Sequence, residues 1–395
     1  MRRWPDILFV AIVGLPVAFG LLLVSNEGIS RQENRRLADF PPVIEKGRLN
    51  GKFASGFEEW LNDHVGLRNA WLKVHDLCKV SVAGRFVRNP YVCWDRKNGW
   101  IWTEAKRKSV SLDHKSIGRI AKGVRDFRAW LEDQGIGFRM LLVPDKNVVY
   151  RKESLEAGIR GVDEDSIGRL CAALRAEIGD KLIFPREELE QRSKEETVYY
   201  QTSHHWSEAG AFVAWRALAR SILGPRRITG CPALLESSYD IERDKWVREG
   251  PTMCKSHGNS AKLLGYDDKD YPDDLLRAIY PHYYHKDRNR LSLKRSHIFR
   301  KKDRFMPRFR WEYPEAVPLR VFVLGTSQTC IMQPFMPYTF SPMEYIRING
   351  GQVSEKKSFY LKRLYAKEIA SFKPDVLILC VTMGNCGALH KIAEE

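Results

Sequence analysis

Two stretches of the sequence contain residue types that together suit nucleophilic chemistry. "YYQTSHHWSEAGA", residues 199–211, places His205 directly before a predicted helix, and "LRVFVLGTSQTC", residues 319–330, places Ser327 after a buried strand. A serine hydroxyl is a weak nucleophile until a base takes its proton, and histidine is the commonest such base. The pair therefore suits acyl transfer, provided that the fold brings the two side chains together.

Each residue also has a plainer interpretation. A Gly-Thr-Ser turn ends many strands, and a histidine before a helix often makes only a structural hydrogen bond. Metal binding is another alternative. His204 and His205 are adjacent, however, and adjacent side chains on a strand face opposite ways. His282 and His285 share one face only if "PHYYH" is helical. We expect no metal site.

The elements that must position these residues alternate between helices and buried strands. A helix from about Asp113 to Gln134 has its apolar residues on one face and precedes the continuous apolar run "GFRMLLVP". Ser166–Ile178 with "KLIF" and Lys357–Phe372 with "DVLILCV" repeat this order. A uniformly apolar strand is buried on both faces. The sequence therefore predicts an α/β fold with a mostly parallel sheet flanked by helices, with a loop-rich insertion at about 225–315.

The beginning of the chain predicts a membrane anchor. Arg2 and Arg3 precede an uncharged run of 18 residues from Ile7 to Val24. As a helix this run reaches roughly 27 Å, close to the thickness of a bilayer's hydrocarbon core. The run is longer than the apolar part of most signal peptides, and no A-x-A-like cleavage site follows it. Because basic residues stay cytoplasmic, we expect a single-pass inner-membrane protein whose remainder faces the periplasm.

Between the anchor and the α/β domain the sequence predicts a smaller region. It combines an extended tether ending at Pro41-Pro42, an amphipathic helix beginning near Phe53, and a hairpin that turns at Asn98-Gly99. The expected regions are a transmembrane helix at 1–25, an N-terminal region at 26–110 and the α/β domain at 111–395.

Composition limits the class of partner. The chain of 395 residues is 44% hydrophobic, enough for a packed core, and carries a net charge of +16. That charge favours an anionic partner, but no RNA-binding signature, zinc-finger spacing or long basic block is present, so nucleic acid is not expected. Eight cysteines without a C-x-x-C pair fit an oxidising compartment and argue against a zinc ribbon.

Seven short motifs follow one another along nearly all of the chain beyond the anchor. They are "ENRRLADFPP", "FEEWLNDHVGLRN", "DRKNGWIW", "LLVPDKNVVY", "TSHHWSEAGA", "GNSAKLLG" and "LGTSQT". Together they resemble the alginate O-acetyltransferase group of SGNH-hydrolase-like proteins, the AlgJ/AlgX type with its D-H-H-W-motif relatives. The last motif is similar to that family's G-[DT]-S-[FH] serine block.

This resemblance implies an SGNH-hydrolase-like fold and acetyl transfer onto hydroxyls of an exported polysaccharide, acidic or neutral. A membrane-bound O-acyltransferase of the MBOAT type would supply the acetyl group, and no cofactor is implied. Ser327 would become acetyl-serine, with its amide as one oxyanion donor, and His205 would be general base and then acid. The positions that would bind substrate or oxyanion are Gly325, Thr326, His204, Trp206, Asn259 and Lys146.

The chain departs from the family where the triad aspartate stands, because it has Ser203 there. In serine proteases, loss of that carboxylate costs about 10⁴-fold in rate. Another carboxylate can substitute, and Asp145 and Glu208 are near in sequence. Alternatively, the enzyme is slow and uses a dyad, or the chain is a glycan-binding or assembly subunit without turnover. An acetyl-esterase using the same two residues with water as acceptor also stays open.

Overall fold

The structure is a computed structural model. It describes residues 28–30, 35–45, 47–65, 85–88, 92–103, 113–159, 164–224, 230–244, 279–296, 308–348 and 360–394. The predicted anchor at 7–24 and Asn259 lie outside these residues. No helix within them is long and apolar enough to cross a membrane.

The chain divides into two compact units. The first comprises Met1–Val87 with Ala261–Asp270, and the second comprises Arg88–Ser260 with Tyr271–Glu395. The described elements of the first unit are β1 (Ile29–Ser30), β2 (Arg35–Arg36), β3 (Ile44–Glu45), β4 (Arg48–Leu49) and α1 (Phe53–His64), and β5 (Phe86–Arg88) spans the boundary. The predicted amphipathic helix is thus observed, and its aromatic face packs on Phe40, whose ring centroid lies 5.0 Å from that of Trp60.

The second unit begins with the predicted hairpin, β6 (Val92–Asp95) and β7 (Trp100–Thr103), which turns at Gly99 with a φ of 78°. Its other strands are β8 (Gly137–Val143), β9 (Leu182–Ile183), β10 (Tyr239–Asp244), β11 (Tyr280–His285), β12 (Ser292–Ser296), β13 (Arg308–Glu312), β14 (Val321–Gly325), β15 (Met343–Arg347) and β16 (Val376–Thr382). Its α-helices are α2 (His114–Glu132), α3 (Lys146–Val149), α4 (Arg151–Glu156), α5 (Glu164–Ile178), α6 (Arg186–Ser193), α7 (Glu208–Leu223), α8 (Met336–Thr339) and α9 (Leu361–Phe372).

Seven strands form the central sheet in the order β12-β13-β15-β14-β16-β8-β9. The strands from β15 to β9 are parallel, and β13 and β12 add an antiparallel edge beside β15. The carboxyl ends of the parallel strands therefore meet along one edge, which is where open α/β sheets bind ligands. The predicted mostly parallel α/β sheet is confirmed.

Both faces of the sheet are covered. Alternate residues of β8, β14 and β16, such as Met140, Leu324 and Leu379, share one apolar core with α2, α5 and α9. The helix α2 begins at Asp113, whose carboxylate accepts a hydrogen bond from the amide of Ser116 at 2.7 Å. The remaining helix of this size, α7, contacts β8 and the turn that follows β14. The six cysteines within the described residues are buried.

The segment at about 225–315, predicted to be a loop-rich insertion, contains four strands in the part that the structure describes, so this prediction is corrected. It contains β10 and β11, which form an antiparallel pair, and β12 and β13, which extend the central sheet. "RFRWE" in β13 alternates charged and aromatic residues with the period of a strand, and the partly buried and buried positions alternate in the same way. "PHYYH" is likewise a strand, so the helical face suggested for His282 and His285 does not form.

Candidate active site

Ser327 stands at the carboxyl edge of the sheet. β14 ends at Gly325, the amide of Thr326 donates to the carbonyl of Cys380 at 3.0 Å, and a 3-10 helix begins at Ser327. A Cβ on Gly325 would lie 2.1 Å from Oγ1 of Thr329, so only glycine allows this sharp turn. Within the described residues, the amide N–H of Ser327 has no protein acceptor, which suits its expected role as an oxyanion donor.

His205 is held in a tight loop before α7. Tyr199 and Trp206 form an isolated antiparallel bridge, and the amide of Tyr200 donates to the carbonyl of His205 at 3.0 Å. Ser207 caps α7, because its hydroxyl accepts a hydrogen bond from the amide of Gly210. The predicted cap is therefore observed, and hydrogen bonds hold the backbone on both sides of His205.

The fold brings the two chemical residues together. Nε2 of His205 lies 2.9 Å from Oγ of Ser327, across 122 positions of sequence. On the other side of the ring, Nδ1 lies 2.9 Å from Oγ of Ser203. The three side chains thus form a continuous Ser-His-Ser chain in which a hydroxyl occupies the place of the triad carboxylate.

Ser203 does not determine which ring nitrogen of His205 carries the proton. Its Oγ already accepts a hydrogen bond from the amide of His205 at 3.2 Å. It can also accept from Nδ1–H, which leaves Nε2 free to act as base, or donate to Nδ1, which puts the proton on Nε2. A carboxylate only accepts and therefore imposes the first tautomer. The hydroxyl allows both.

The environment of His205 favours its neutral form. Burial lowers the pKa of the imidazole well below its ordinary value, and the neighbouring His204 and Arg347 act in the same direction. The ring is only 4% exposed. A neutral imidazole is ready to accept a proton, but the imidazolium that acyl transfer would create has no anionic partner among these contacts.

Neither carboxylate proposed from the sequence replaces the missing aspartate. Oε2 of Glu208 accepts a hydrogen bond from the amide of Tyr283 at 2.7 Å, and its Oε1 lies 3.9 Å from Nδ1 of His282. Asp145 is bonded instead to the backbone of Gly384. Both ring nitrogens of His205 are already bonded to serine hydroxyls, so the substitution hypothesis is wrong for these two residues.

Lys146 was expected to bind substrate or oxyanion, and the structure corrects this. Its ammonium is buried and donates to backbone carbonyls of Ile101, Tyr200, Gln201 and Ser203 at 2.8–3.1 Å. It also lies over the rings of Trp100 and Trp102. The lysine therefore joins the hairpin to the loop that carries His205, and no donor is left for a ligand.

Three other predicted ligand-binding residues are buried. Trp206 is fully buried, and its indole N–H donates to the carbonyl of Gln328 at 2.9 Å. Gly325 and Thr326 are enclosed in the turn, so they shape the site instead of contacting substrate through their side chains. His204 is exposed, with its ring centroid 4.0 Å from that of His205, and its role in substrate binding stays a prediction.

Gln328 is the site residue that sequence reasoning missed. Its side chain bonds to the amide of Trp206 and to the carbonyl of His204, both at 3.0 Å. The sequence does contain one indication of it, because Gln328 stands where the serine block of the resembled family has phenylalanine or histidine.

No group of three or more possible ligands that could hold a metal ion exists among the residues that the structure describes. His282 faces Glu208, and His285 stacks flat on Tyr338 with ring centroids 3.9 Å apart. The two histidines therefore have separate surroundings.

Asp145 predicts a pH-dependent stability. Burial raises the pKa of its carboxyl from the ordinary 3.8 to about 6, with the hydrogen bond from Gly384 opposing this. The folded state thus favours the protonated form, a contribution that is complete below pH 3.8 and lost as pH rises through 6. The unfolding free energy of Asp145→Asn minus that of the native protein should therefore rise by about 2 kcal/mol from pH 4 to pH 8.

Denaturant unfolding of both proteins across that range measures this difference. Asp126→Asn is the control with the opposite sign, because the hydrogen bond from Lys122 lowers the pKa of Asp126. A difference for Asp145→Asn that stays constant with pH contradicts the prediction.

A family model describes the same region of the chain. The model of the SGNH hydrolase-like domain of the acetyltransferase AlgX matches residues 96–247. Residues 96–247 are thus similar to an SGNH hydrolase-like domain of the AlgX type. The matched region of this SGNH-like domain contains Ser203 and His205 and ends before Ser327. The resemblance to the AlgJ/AlgX-type family is therefore confirmed.

Solved structures resemble the chain in fold. PatB1 of Bacillus cereus, solved with a sulfonyl adduct, has a TM-score of 0.53 and 14% identity, covering 78% of this chain and 99% of its own. A DHHW family protein from Eubacterium siraeum has a TM-score of 0.51 and 13% identity, covering 78% of this chain and 97% of its own. No curated protein sequence matches the chain. At these identities the structural likeness concerns the fold of the SGNH-like domain alone.

Proposed function

We propose that the protein transfers acetyl groups, through an acetyl-serine at Ser327, to hydroxyls of an exported polysaccharide. The observation that carries this proposal is the 2.9 Å contact between Nε2 of His205 and Oγ of Ser327 at the carboxyl edge of the sheet. The name of the matching family, an acetyltransferase, supports acetyl as the transferred group.

In the first half-reaction, Oγ of Ser327 attacks the carbonyl carbon of the acetyl donor while Nε2 of His205 takes the hydroxyl proton. The amide of Ser327 donates to the carbonyl oxygen as it becomes an oxyanion. The intermediate then collapses: the bond between the carbonyl carbon and the donor oxygen breaks, and that oxygen leaves with the proton from Nε2. Ser327 is left acetylated and His205 neutral.

In the second half-reaction, a sugar hydroxyl attacks the acetyl carbon of acetyl-Ser327, and Nε2 of His205 takes its proton. The ester bond to Oγ breaks, and Oγ recovers the proton from Nε2. The sugar is then O-acetylated and the enzyme regenerated. Water in place of the sugar makes the same steps an esterase reaction, so exclusion of water decides between transfer and hydrolysis.

Ser203 lowers the expected rate of both steps. Each step creates an imidazolium at His205, and the hydroxyl of Ser203 cannot offset that charge. We therefore propose a slow acetyltransferase. The same feature favours a glycan-binding or assembly subunit if turnover proves absent.

The surroundings of this activity are part of the proposal. The apolar run at 7–24 would anchor the protein in the inner membrane as a single-pass helix, with the catalytic unit in the periplasm. A polytopic MBOAT-type acyltransferase would deliver the acetyl group. The net charge of +16 suits an acidic acceptor glycan.

A mass-spectrometric experiment tests the nucleophile. The full chain is incubated with p-nitrophenyl acetate, quenched in acid and digested. We expect a mass gain of one acetyl group on the peptide that contains Ser327, and the same residue should react with a sulfonyl fluoride. His205→Ala should slow acetylation by at least about 10²-fold, since it removes the general base.

Ser327→Ala is the control for the labelled position. If the adduct is missing from the native protein, or persists in Ser327→Ala, the acetyl-serine mechanism is wrong. Adding uronate or neutral oligosaccharides then distinguishes the two acceptors. Acetylated sugar indicates transfer, whereas release of acetate alone indicates an esterase.

A further inference from the structure

Gln328 connects the two halves of the active site by three hydrogen bonds. Its Oε1 accepts from the amide of Trp206 at 3.0 Å, and its Nε2 donates to the carbonyl of His204 at 3.0 Å. Its own backbone carbonyl accepts from the indole N–H of Trp206 at 2.9 Å. The residue is only 3% exposed, so water does not compete for these groups.

These bonds hold the backbone on both sides of His205. A side-chain amide has one acceptor and a pair of donors, so it can bind a carbonyl and an amide of another segment as a neighbouring strand does. Because the carbonyl before His205 and the amide after it are both bonded to Gln328, the Cα of His205 is fixed relative to residue 328. Ser327 is the adjacent residue, so the same bonds determine the spacing between nucleophile and base.

The side chain of His205 lacks an equivalent restraint. A carboxylate at position 203 would accept from Nδ1 and hold the ring in one orientation, but the hydroxyl of Ser203 can donate or accept. The hydrogen bonds to the backbone on both sides of His205 therefore act together with the Ser203 contact in placing Nε2 against Oγ. Misplacement by about 1 Å at such a site costs on the order of 10²-fold in rate.

We propose that Gln328 is a positioning residue that holds Nε2 of His205 within hydrogen-bonding distance of Oγ of Ser327. It would supply part of the orientation that a triad carboxylate otherwise gives. The inference rests on the proposed acetyl transfer through Ser327. It assigns no contact between Gln328 and the acetyl group.

Gln328→Met is the direct test, because methionine keeps the length and apolar volume of glutamine and removes the amide. In the full chain, with p-nitrophenyl acetate as substrate, we expect kcat for acetylation of Ser327 to fall roughly 10–100-fold while KM changes less than 2-fold. Gln333→Met is the matched control, since Gln333 is 7% exposed and follows the same 3-10 helix. Its kcat should stay within 2-fold of the native value.

Gln328→Glu separates the two contacts and provides a second variant if methionine prevents folding. Ionised glutamate still accepts from the amide of Trp206, but it cannot donate to the carbonyl of His204 and repels it. We expect a loss at least as large as that of Gln328→Met and larger than that of Gln333→Met. Circular dichroism at the assay temperature verifies that each variant is folded.

A double-mutant cycle with Ser203→Asp distinguishes positioning from simple structural support. When a carboxylate orients His205, Gln328→Met should lower kcat by less than 5-fold. An equal loss in both backgrounds, or a Gln328→Met kcat within 2-fold of native, overturns the inference. Failure of the native protein to form acetyl-Ser327 instead contradicts the proposed function, so the two failures have separate readouts.

Discussion

Ser203→Asp is expected to raise the rate of Ser327 acetylation by roughly 10²–10³-fold, as part of the 10⁴-fold that a triad carboxylate contributes in serine proteases. The hydroxyl of Ser203 already lies 2.9 Å from Nδ1 of His205, so a carboxylate there needs no new path to the ring. It would accept from Nδ1–H, impose the tautomer with a free Nε2, and stabilise the imidazolium of both half-reactions. The measurement is the burst rate of p-nitrophenol release.

The same substitution should shift the pH dependence of acetylation. The base must be neutral, so the rate falls as pH drops through the pKa of His205. Burial holds that pKa well below its ordinary value in the native protein, whereas a carboxylate at position 203 raises it. The acid limb of the Ser203→Asp profile should therefore lie at higher pH than the native one.

Ser203→Asn is the control for charge. Its side chain has almost the size of aspartate, yet it brings no negative charge, and its amide can donate to Nδ1 and favour the wrong tautomer. We expect no gain in rate. If Ser203→Asp gains less than 3-fold while remaining folded, or if the asparagine variant gains equally, a missing carboxylate is not what limits this enzyme.

Lys146→Met is expected to lower the free energy of unfolding by about 3 kcal/mol or more, and to reduce acetylation with it. The ammonium donates to four backbone carbonyls. Those of Tyr200 and Gln201 also accept from backbone amides, so methionine would leave the carbonyls of Ile101 and Ser203 buried without their donor. An unsatisfied buried polar group costs about 1–3 kcal/mol. Since one carbonyl belongs to Ser203, the loop that orients His205 should loosen, so the rate should fall even where the protein remains folded.

Urea unfolding monitored by circular dichroism measures the loss of stability. Lys122→Met is the matched control. Its side chain is 65% exposed and forms a helical surface pair with Asp126. Such a pair contributes a few tenths of a kcal/mol. A Lys146→Met protein within 1 kcal/mol of native would show that these carbonyls find other donors.

The central sheet could be read from the sequence because its strands carry their own signal. "GFRMLLV", "VFVLG" and "VLILCVT" are continuous apolar runs, and each became a buried strand of the parallel part. Their neighbours α2, α5 and α9 have apolar residues at helical spacing, which is also a local property. β13 was missed because its aromatic residues alternate with arginine, so it lacks the continuous apolar run of the parallel strands.

The two residues that meet in the site, His205 and Ser327, were predictable from residue types, but the geometry around them was not. His205 and Ser327 follow from the turn after β14, the helix start at Ser207 and the resemblance. The partners of His205 do not, because the sequence offers Asp145 and Glu208 as carboxylates and only the structure shows that Ser203 contacts Nδ1. Lys146 is a second example. A lysine within a motif suggests that it binds a ligand, and only the structure shows that its ammonium donates to backbone carbonyls.

By itself, the sequence determined the helices and strands of the parallel part of the sheet, and which serine and histidine have the residue types that acyl transfer needs, since periodicity and residue type are local. The tertiary structure alone decided that Nε2 of His205 meets Oγ of Ser327, that a hydroxyl stands behind the ring, and that Gln328 bridges the two loops. These contacts join positions up to 124 residues apart. Their distances depend on the path of the whole backbone, which no short pattern records.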